Sequence, residues 1–280
     1  MPPPSLAERL GHPPGARLLI LNCDDGGVSR AANLAIHRAL TEGVASSASL
    51  MVPCPWAHDA ALRLRGLPLG VHLTLTAEYP GYRWRGLTAG ASLHDAEGFL
   101  HATAAAALAH IDAAEALEEG RAQIEAALGW GVDVTHLDAH MDVLHGREDL
   151  FEAYLDLAAA FRLPVRITDA AHAVPPPAEA RARAAARGIL VPDRLLYPWP
   201  RPAAEMLAEA LPDLPPGVTE IFAHPVEDGA ELRGYSPRFA GLRAADAEAL
   251  CDPALAALLD RHGICRISYR PLRALMRGAG

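Results

Sequence analysis

Carboxylates and imidazoles gather at a few points of the chain. Asp24-Asp25-Gly26-Gly27 follows an apolar run at 17–23. Adjacent side chains on a straight strand point to opposite faces, so both carboxylates can serve one site only where the backbone bends, which Gly-Gly permits. Two uses suit the pair. One is a metal ligand beside a general base; the other is a helix-capping turn, because Asp favours loops. His72 stands in the alternation Gly70, His72, Thr74, Thr76 against Val71, Leu73, Leu75, which makes one strand face polar. A histidine in such a row is either a ligand or a buried imidazole satisfied by a neighbour. The run Thr135-His136-Leu137-Asp138-Ala139-His140 is denser. His136, Asp138 and His140 share one parity, and two His with a carboxylate are ligand types of Zn²⁺, Fe²⁺ or Mn²⁺. A polar strand end with capping residues is the other reading. His145 is expected at the start of the next helix. His224 ends the apolar run Thr219–Ala223 and is stopped by Pro225, which suits a general acid or a structural histidine. The remaining histidines (12, 37, 58, 94, 101, 110, 172 and 262) fall in helices, loops or ends and read as surface residues.

These groups come at or just after strand ends. Strands are expected at 17–23, 44–52, 69–76, 132–138, 163–168, 218–223 and 264–269. Helices are expected from Ser29, as cap, to Glu42, then near 56–64, 112–128, 147–161 and 243–259. Residues 78–110 lack a clear period and read as a functional loop or lid. Residues 173–190 are rich in Pro and Ala and show no clear element. Strands alternating with helices imply a parallel sheet, and at this length a (β/α) barrel whose active site lies at the carboxyl ends of its strands. A doubly wound open sheet is the alternative, but no G-x-G-x-x-G follows the first strand.

The 280 residues carry 25 Lys+Arg and 34 Asp+Glu, a formal charge of −9, with 51% hydrophobic and 21% charged residues. That is ample core material and excludes disorder for most of the chain. The negative balance argues against nucleic acid or an anionic membrane as partner. No apolar run approaches the ~18 residues that span a bilayer. The start does not read as a signal peptide, and Cys23, Cys54, Cys251 and Cys265 are scattered. Buried thiols in a reducing cytoplasm are therefore expected. The domain layout expected is a Pro-rich extension at 1–16, then one barrel domain over 17–280 with an inserted loop at about 77–111. Tyr79, Tyr82 and Trp84 of that loop suit stacking on a sugar ring, or ordinary packing.

Taken together, the segments N-C-D-D-G-G-V-S, S-S-A-S-L-M-V-P-C-P-W, G-V-H-L-T-L-T, T-H-L-D-A-H and T-E-I-F-A-H-P, in this order from about Leu18 to Leu275, resemble the YdjC-like (ChbG/HpnK-type) carbohydrate deacetylases. That family is similar to the polysaccharide deacetylases. The resemblance implies a distorted (β/α) barrel and a metal-dependent hydrolase of linear amide C–N bonds that removes N-acetyl groups from amino sugars. It implies one divalent ion, Zn or Mg, held by Asp25, His72 and His140. It makes Asp24 the general base, His224 the general acid, and Arg166 a group that orients Asp24 or the substrate. Asp138, His136, His145, Tyr79 and Trp84 are assigned to substrate contact or to support of the ligands. The partner implied is an acetylated sugar; a homodimer stays open. Two rival activities fit the same residues: hydrolysis of a phosphoester or non-sugar amide, and sugar binding without catalysis. The chain departs from the family pattern twice. It has D-D-G-G where D-D-F-G is common, and His140-Met141-Asp142-Val143-Leu144-His145 where many members carry H-x-H-x-H.

Overall fold

A computed structural model describes residues 4–278. Its framework is a curved parallel sheet of β1 (Arg17–Gly26), β2 (Ser47–Leu50), β3 (Leu69–Leu73), β4 (Val134–Ala139), β5 (Arg194–Leu196), β6 (Gly217–Ala223) and β7 (Cys265–Arg266). The order is β4-β3-β2-β1-β6-β5, with β7 pairing the start of β1. This path is open, so the fold is a half-barrel rather than a closed ring. The expected strand at 163–168 contributes a single parallel bridge, Leu137 to Val165, on the outer side of β4.

β1 is the axis of the fold. Every residue from Leu18 to Gly26 is buried, as a strand flanked on both edges and covered on both faces must be. Each of its large apolar side chains contributes about 1.5–3 kcal/mol through burial. Helices cover the convex face. Helix Arg30–Thr41 is capped by Ser29, whose hydroxyl accepts from the Ala32 amide, and Ala32, Ile36 and Ala39 face the core. Helix Ala113–Gly129 is capped in the same way by Asp112.

Several expectations change. β5 was not foreseen, the late strand shrinks to Cys265–Arg266, and 173–190 contains a helix, Pro177–Ala186. The single helix expected at 243–259 is two, Ala240–Ala249 and Pro253–Arg261, because Pro253 cannot continue the first and Asp252 caps the second. The 78–110 segment is not wholly irregular, since it ends in helix Ala104–His110. It is also fastened down: Glu119 accepts from the Leu87 and Thr88 amides, and Glu115 accepts from Ser92. The Pro-rich extension holds a short helix, Leu6–Arg9, whose Ala7 packs with Leu18, Ile20 and Val218. The outermost parts of the expected extension and barrel domain, residues 1–3 and 279–280, lie outside the described residues. All four cysteines are free; Cys23 and Cys54 are buried, but Cys265 is exposed because its two-residue strand lies at the sheet margin. No helix among the described residues is long and apolar enough to cross a membrane.

Candidate active site

A cavity of about 210 Å³ opens at the carboxyl ends of the strands, and Asp24, Asp25, His72, His140, Arg166 and His224 all line it. The bend that brings both adjacent carboxylates to it falls on Asp25 itself, whose φ is +62°, with Gly27 at +93° just beyond. The β1–β2 register shifts between Cys23 and Gly26 at the same place. Left-handed backbone at a non-glycine residue is disfavoured, so surrounding contacts must hold it. Arg243 does so: its Nη1 donates to Asp25 Oδ2 at 2.7 Å and its Nη2 to the Tyr79 hydroxyl oxygen at 2.9 Å.

The other oxygen of Asp25 is what marks the site. Oδ1 is buried without a hydrogen-bond partner. It lies 3.5 Å from His72 Nε2 and 3.4 Å from His140 Nδ1. One ligand atom from each of Asp25, His72 and His140 falls within 4.8 Å of the others. A carboxylate and two imidazoles converging on an unpartnered oxygen fit a divalent cation. Burial disfavours the Asp25 charge, but Arg243 and the nearby imidazoles outweigh it and hold its pKa well below the usual carboxylate range. Burial likewise disfavours charge on His140, yet Glu78 and Asp25 push its pKa up to about 10. The surroundings of the trio thus favour positive charge at its centre.

Each imidazole is oriented through its far nitrogen. His72 Nδ1 lies 2.8 Å from Asp138 Oδ1, and His140 Nε2 lies 3.1 Å from Glu78 Oε2. Carboxylate–imidazole pairs of this kind fix the tautomer of a metal-binding histidine. Glu78 escaped the sequence reading; its one signal is an acidic residue placed just past the polar-faced third strand. Asp138 does not line the cavity. It sits behind the wall, taking bonds from His72, Ser49 and Arg166.

Asp24 is gripped. Arg166 Nη1 and Nη2 donate to its two oxygens at 2.7 and 2.9 Å, and Asn22 Nδ2 donates to Oδ1 at 2.8 Å. Arg166 also meets Glu220 at 2.8 Å. A second trio, Asp24, His72 and Asp138, has ligand atoms in similar proximity. There Arg166 already stands within 2.7 Å of one carboxylate and 3.2 Å of the other, and its charge opposes a cation.

His224 follows β6. Its backbone amide donates to Asp246 Oδ2 at 2.9 Å, while its ring lies edge-on to Trp199 and Phe222 at centroid distances of 4.8 and 5.5 Å. Burial, reinforced by Arg243, pushes its pKa down to about 4, so the ring is neutral at pH 7.

Other candidates fall elsewhere. His136 has the parity of Asp138 but lies one layer deeper, stacked on Tyr269 at 3.9 Å. Gly70 makes room for it, since a Cβ there would come within 2.4 Å of the His136 ring. His145 does not begin a helix; it ends the 3₁₀ segment His140–His145, buried against Phe151 and Tyr154. Trp84 is buried, donates its Nε1 to the Thr76 carbonyl and packs on Tyr79 and Tyr82, so only Tyr79 of the three aromatic residues lines the cavity. Its aromatic lining comes instead from Tyr197, Trp199, Phe222 and Phe239. His101, expected at the surface, is buried against the Ser92 carbonyl.

Comparisons with known proteins bear on the family and the fold. Residues 18–261 match the family model described as YdjC-like protein. A carbohydrate deacetylase of Thermus thermophilus is 38% identical over 241 residues, covering 83% of this chain and 87% of that protein. A carbohydrate deacetylase of Thermoanaerobacter pseudethanolicus is 28% identical over 226 residues, 79% of this chain and 85% of that one. A crystal structure from Enterococcus faecalis, described as a cellobiose-phosphate cleavage protein, superposes with a TM-score of 0.81 at 24% identity, over 92% of this chain and 99% of that one, and so shares the fold. On the extent of the family match and of the Thermus alignment, the chain belongs to the YdjC-like family.

Proposed function

We propose that this protein is a metal-dependent carbohydrate deacetylase that removes N-acetyl groups from amino sugars. The observation that carries the reading is the unpartnered Asp25 Oδ1 facing His72 and His140 in a cavity that also holds Asp24 and His224. The names of the aligned relatives support the class of reaction.

Asp25, His72 and His140 would hold one divalent ion, Zn or Mg. Such an ion acts as a Lewis acid toward an acyl oxygen and makes water nucleophilic at neutral pH. Asp24, its position set by Arg166 and Asn22, accepts the proton of the attacking water on Oδ2, which takes a bond from Arg166 alone and keeps a lone pair, whereas Oδ1 already accepts from both Arg166 and Asn22. His224, neutral in the resting site, takes up a proton as Asp24 releases the one it removed from water, and passes it to the departing amine, so that Asp24 ends ionised again. The positive charge of Arg166 between Asp24 and Asp138 supports one ion rather than two, which favours amide over phosphoester hydrolysis.

The test follows acetate release from N-acetylated chito-oligosaccharides with and without chelator. Release should stop on chelation, and Asp24→Asn should lower kcat by about 10²–10⁴-fold with metal content retained. The reading fails if the metal-loaded protein frees acetate from no acetylated sugar, or if Asp24→Asn keeps the full rate.

A further inference from the structure

The turn just past His140 places a carboxylate in the substrate cavity. Asp142 lines the same cavity as Asp25 and His140. It follows His140 in a turn where Met141 and Asp142 both adopt left-handed backbone, with φ of +52° and +53°. Two consecutive residues with side chains in that region are disfavoured, and such strain persists only where neighbours over-determine it. Here they do. Asp142 Oδ2 accepts from the buried Thr168 hydroxyl at 3.2 Å and lies 3.5 Å from His172 Nε2. His145 Nδ1 stands 3.9 Å from Oδ1, and the Tyr197 hydroxyl lies beside the carboxylate. The carboxylate is therefore anchored on one side and has acceptor capacity left on the other.

The two arginines of the cavity are already committed. Arg166 serves Asp24, Asp138 and Glu220, and Arg243 serves Asp25 and Tyr79. Neither is free to meet a phosphate or carboxylate on a substrate. The aromatic rings of Tyr197, Trp199, Phe222 and Phe239 supply apolar faces of the kind that pack on the C–H surface of a sugar ring.

We infer that Asp142 is a specificity-determining residue: it accepts a hydrogen bond from a hydroxyl of an uncharged acetylated sugar and excludes sugars bearing phosphate or carboxylate. The inference rests on the deacetylase reading and narrows it to neutral substrates.

The experiment compares N,N′-diacetylchitobiose with its 6-phosphate on the metal-loaded protein, measuring acetate release and, separately, Kd by calorimetry. Two variants preserve the backbone: Asp142→Asn tolerates left-handed φ and keeps an acceptor without charge, and Asp142→Gly suits that φ and removes both. The wild type should favour the neutral sugar at least about 10-fold, the size of one charged hydrogen bond or like-charge contact. Asp142→Asn should bring the ratio of the two sugars toward one. Asp142→Gly should weaken the neutral sugar by roughly 10- to 100-fold. Equal handling of both sugars by the wild type overturns the inference, as does a ratio that neither variant changes. If neither sugar releases acetate, the deacetylase reading fails, while the ratio of Kd values still decides the role of Asp142.

Discussion

Asp138 and Glu78 hold two imidazoles of the trio from behind, but in different settings. Asp138 is wholly enclosed, and although burial disfavours its charge, His72 and Arg166 hold its pKa well below the carboxylate range. The Glu78 side chain keeps 18% of its exposure and reaches His140 from the far side of the cavity. Removing the charge of Glu78 should thus loosen His140 without disturbing the core. Glu78→Gln is expected to weaken Zn²⁺ binding about 10- to 100-fold, as losses of supporting carboxylates do, while the melting temperature of the metal-free protein shifts little. Calorimetric titration of Zn²⁺ into both proteins checks this, and an unchanged Kd would sink it. Residue types and spacing marked the Asp pair and both histidines as candidates, and the family resemblance supplied their roles. Glu78 stayed hidden because its partner lies 62 positions away and its own segment has no period. The aromatic residues stayed open between stacking and packing for a related reason: a sequence shows that Trp84 is flat, not which way it faces.

At the scale of elements, the long apolar strands were legible and the short ones were not. β1 and β6 are buried throughout and read as continuous apolar runs. β5 and β7 contain only three and two residues, too few to show a pattern. The stretch at 163–168 looked like a strand and behaves as a bridge, because its weight lies in one side chain. Arg166 reaches from there to Asp24 on β1, Asp138 on β4 and Glu220 on β6, joining three strands across the open side of the sheet. Without it each of these buried carboxylates would lose a cationic partner, leaving Asp138 with His72 and Asp24 with the Asn22 amide. Arg166→Met, similar in length but uncharged, is therefore expected to destabilise the fold by about 3–5 kcal/mol, the loss typical when one partner leaves a buried ion network. Urea denaturation measures it. A loss below about 1 kcal/mol, the range of an exposed pair, would show that the sheet closes without this arginine.

For the whole molecule, the order of motifs predicted the architecture, since a chain that puts its acidic and histidine residues after successive parallel strands gathers them on one face. What order could not reveal is where that face is closed by charge rather than by strands. Asp246 is one such closure. From helix Ala240–Ala249 its carboxylate accepts the Ala203 amide on Oδ1 and the His224 amide on Oδ2, both at 2.9 Å, tying two covering segments to the end of β6. Burial pushes its pKa up to about 6, above the 3.8 of a free carboxyl. The folded state therefore holds this proton more tightly than the unfolded chain. The resulting stability is fully present below about pH 3.8 and is lost as pH rises through about 6. The difference of roughly two pKa units corresponds to about 3 kcal/mol. Most other carboxylates act in the opposite sense, so the contribution must be isolated by difference. Asp246→Asn removes the titration and one of the two acceptors, a loss that does not vary with pH. Unfolding free energies of wild type and variant should accordingly diverge most near pH 4, with the wild-type advantage shrinking by a few kcal/mol up to pH 6 and then holding constant. A difference that stays flat from pH 4 to 7 would mean that Asp246 is ionised throughout and that its two amide bonds outweigh its burial.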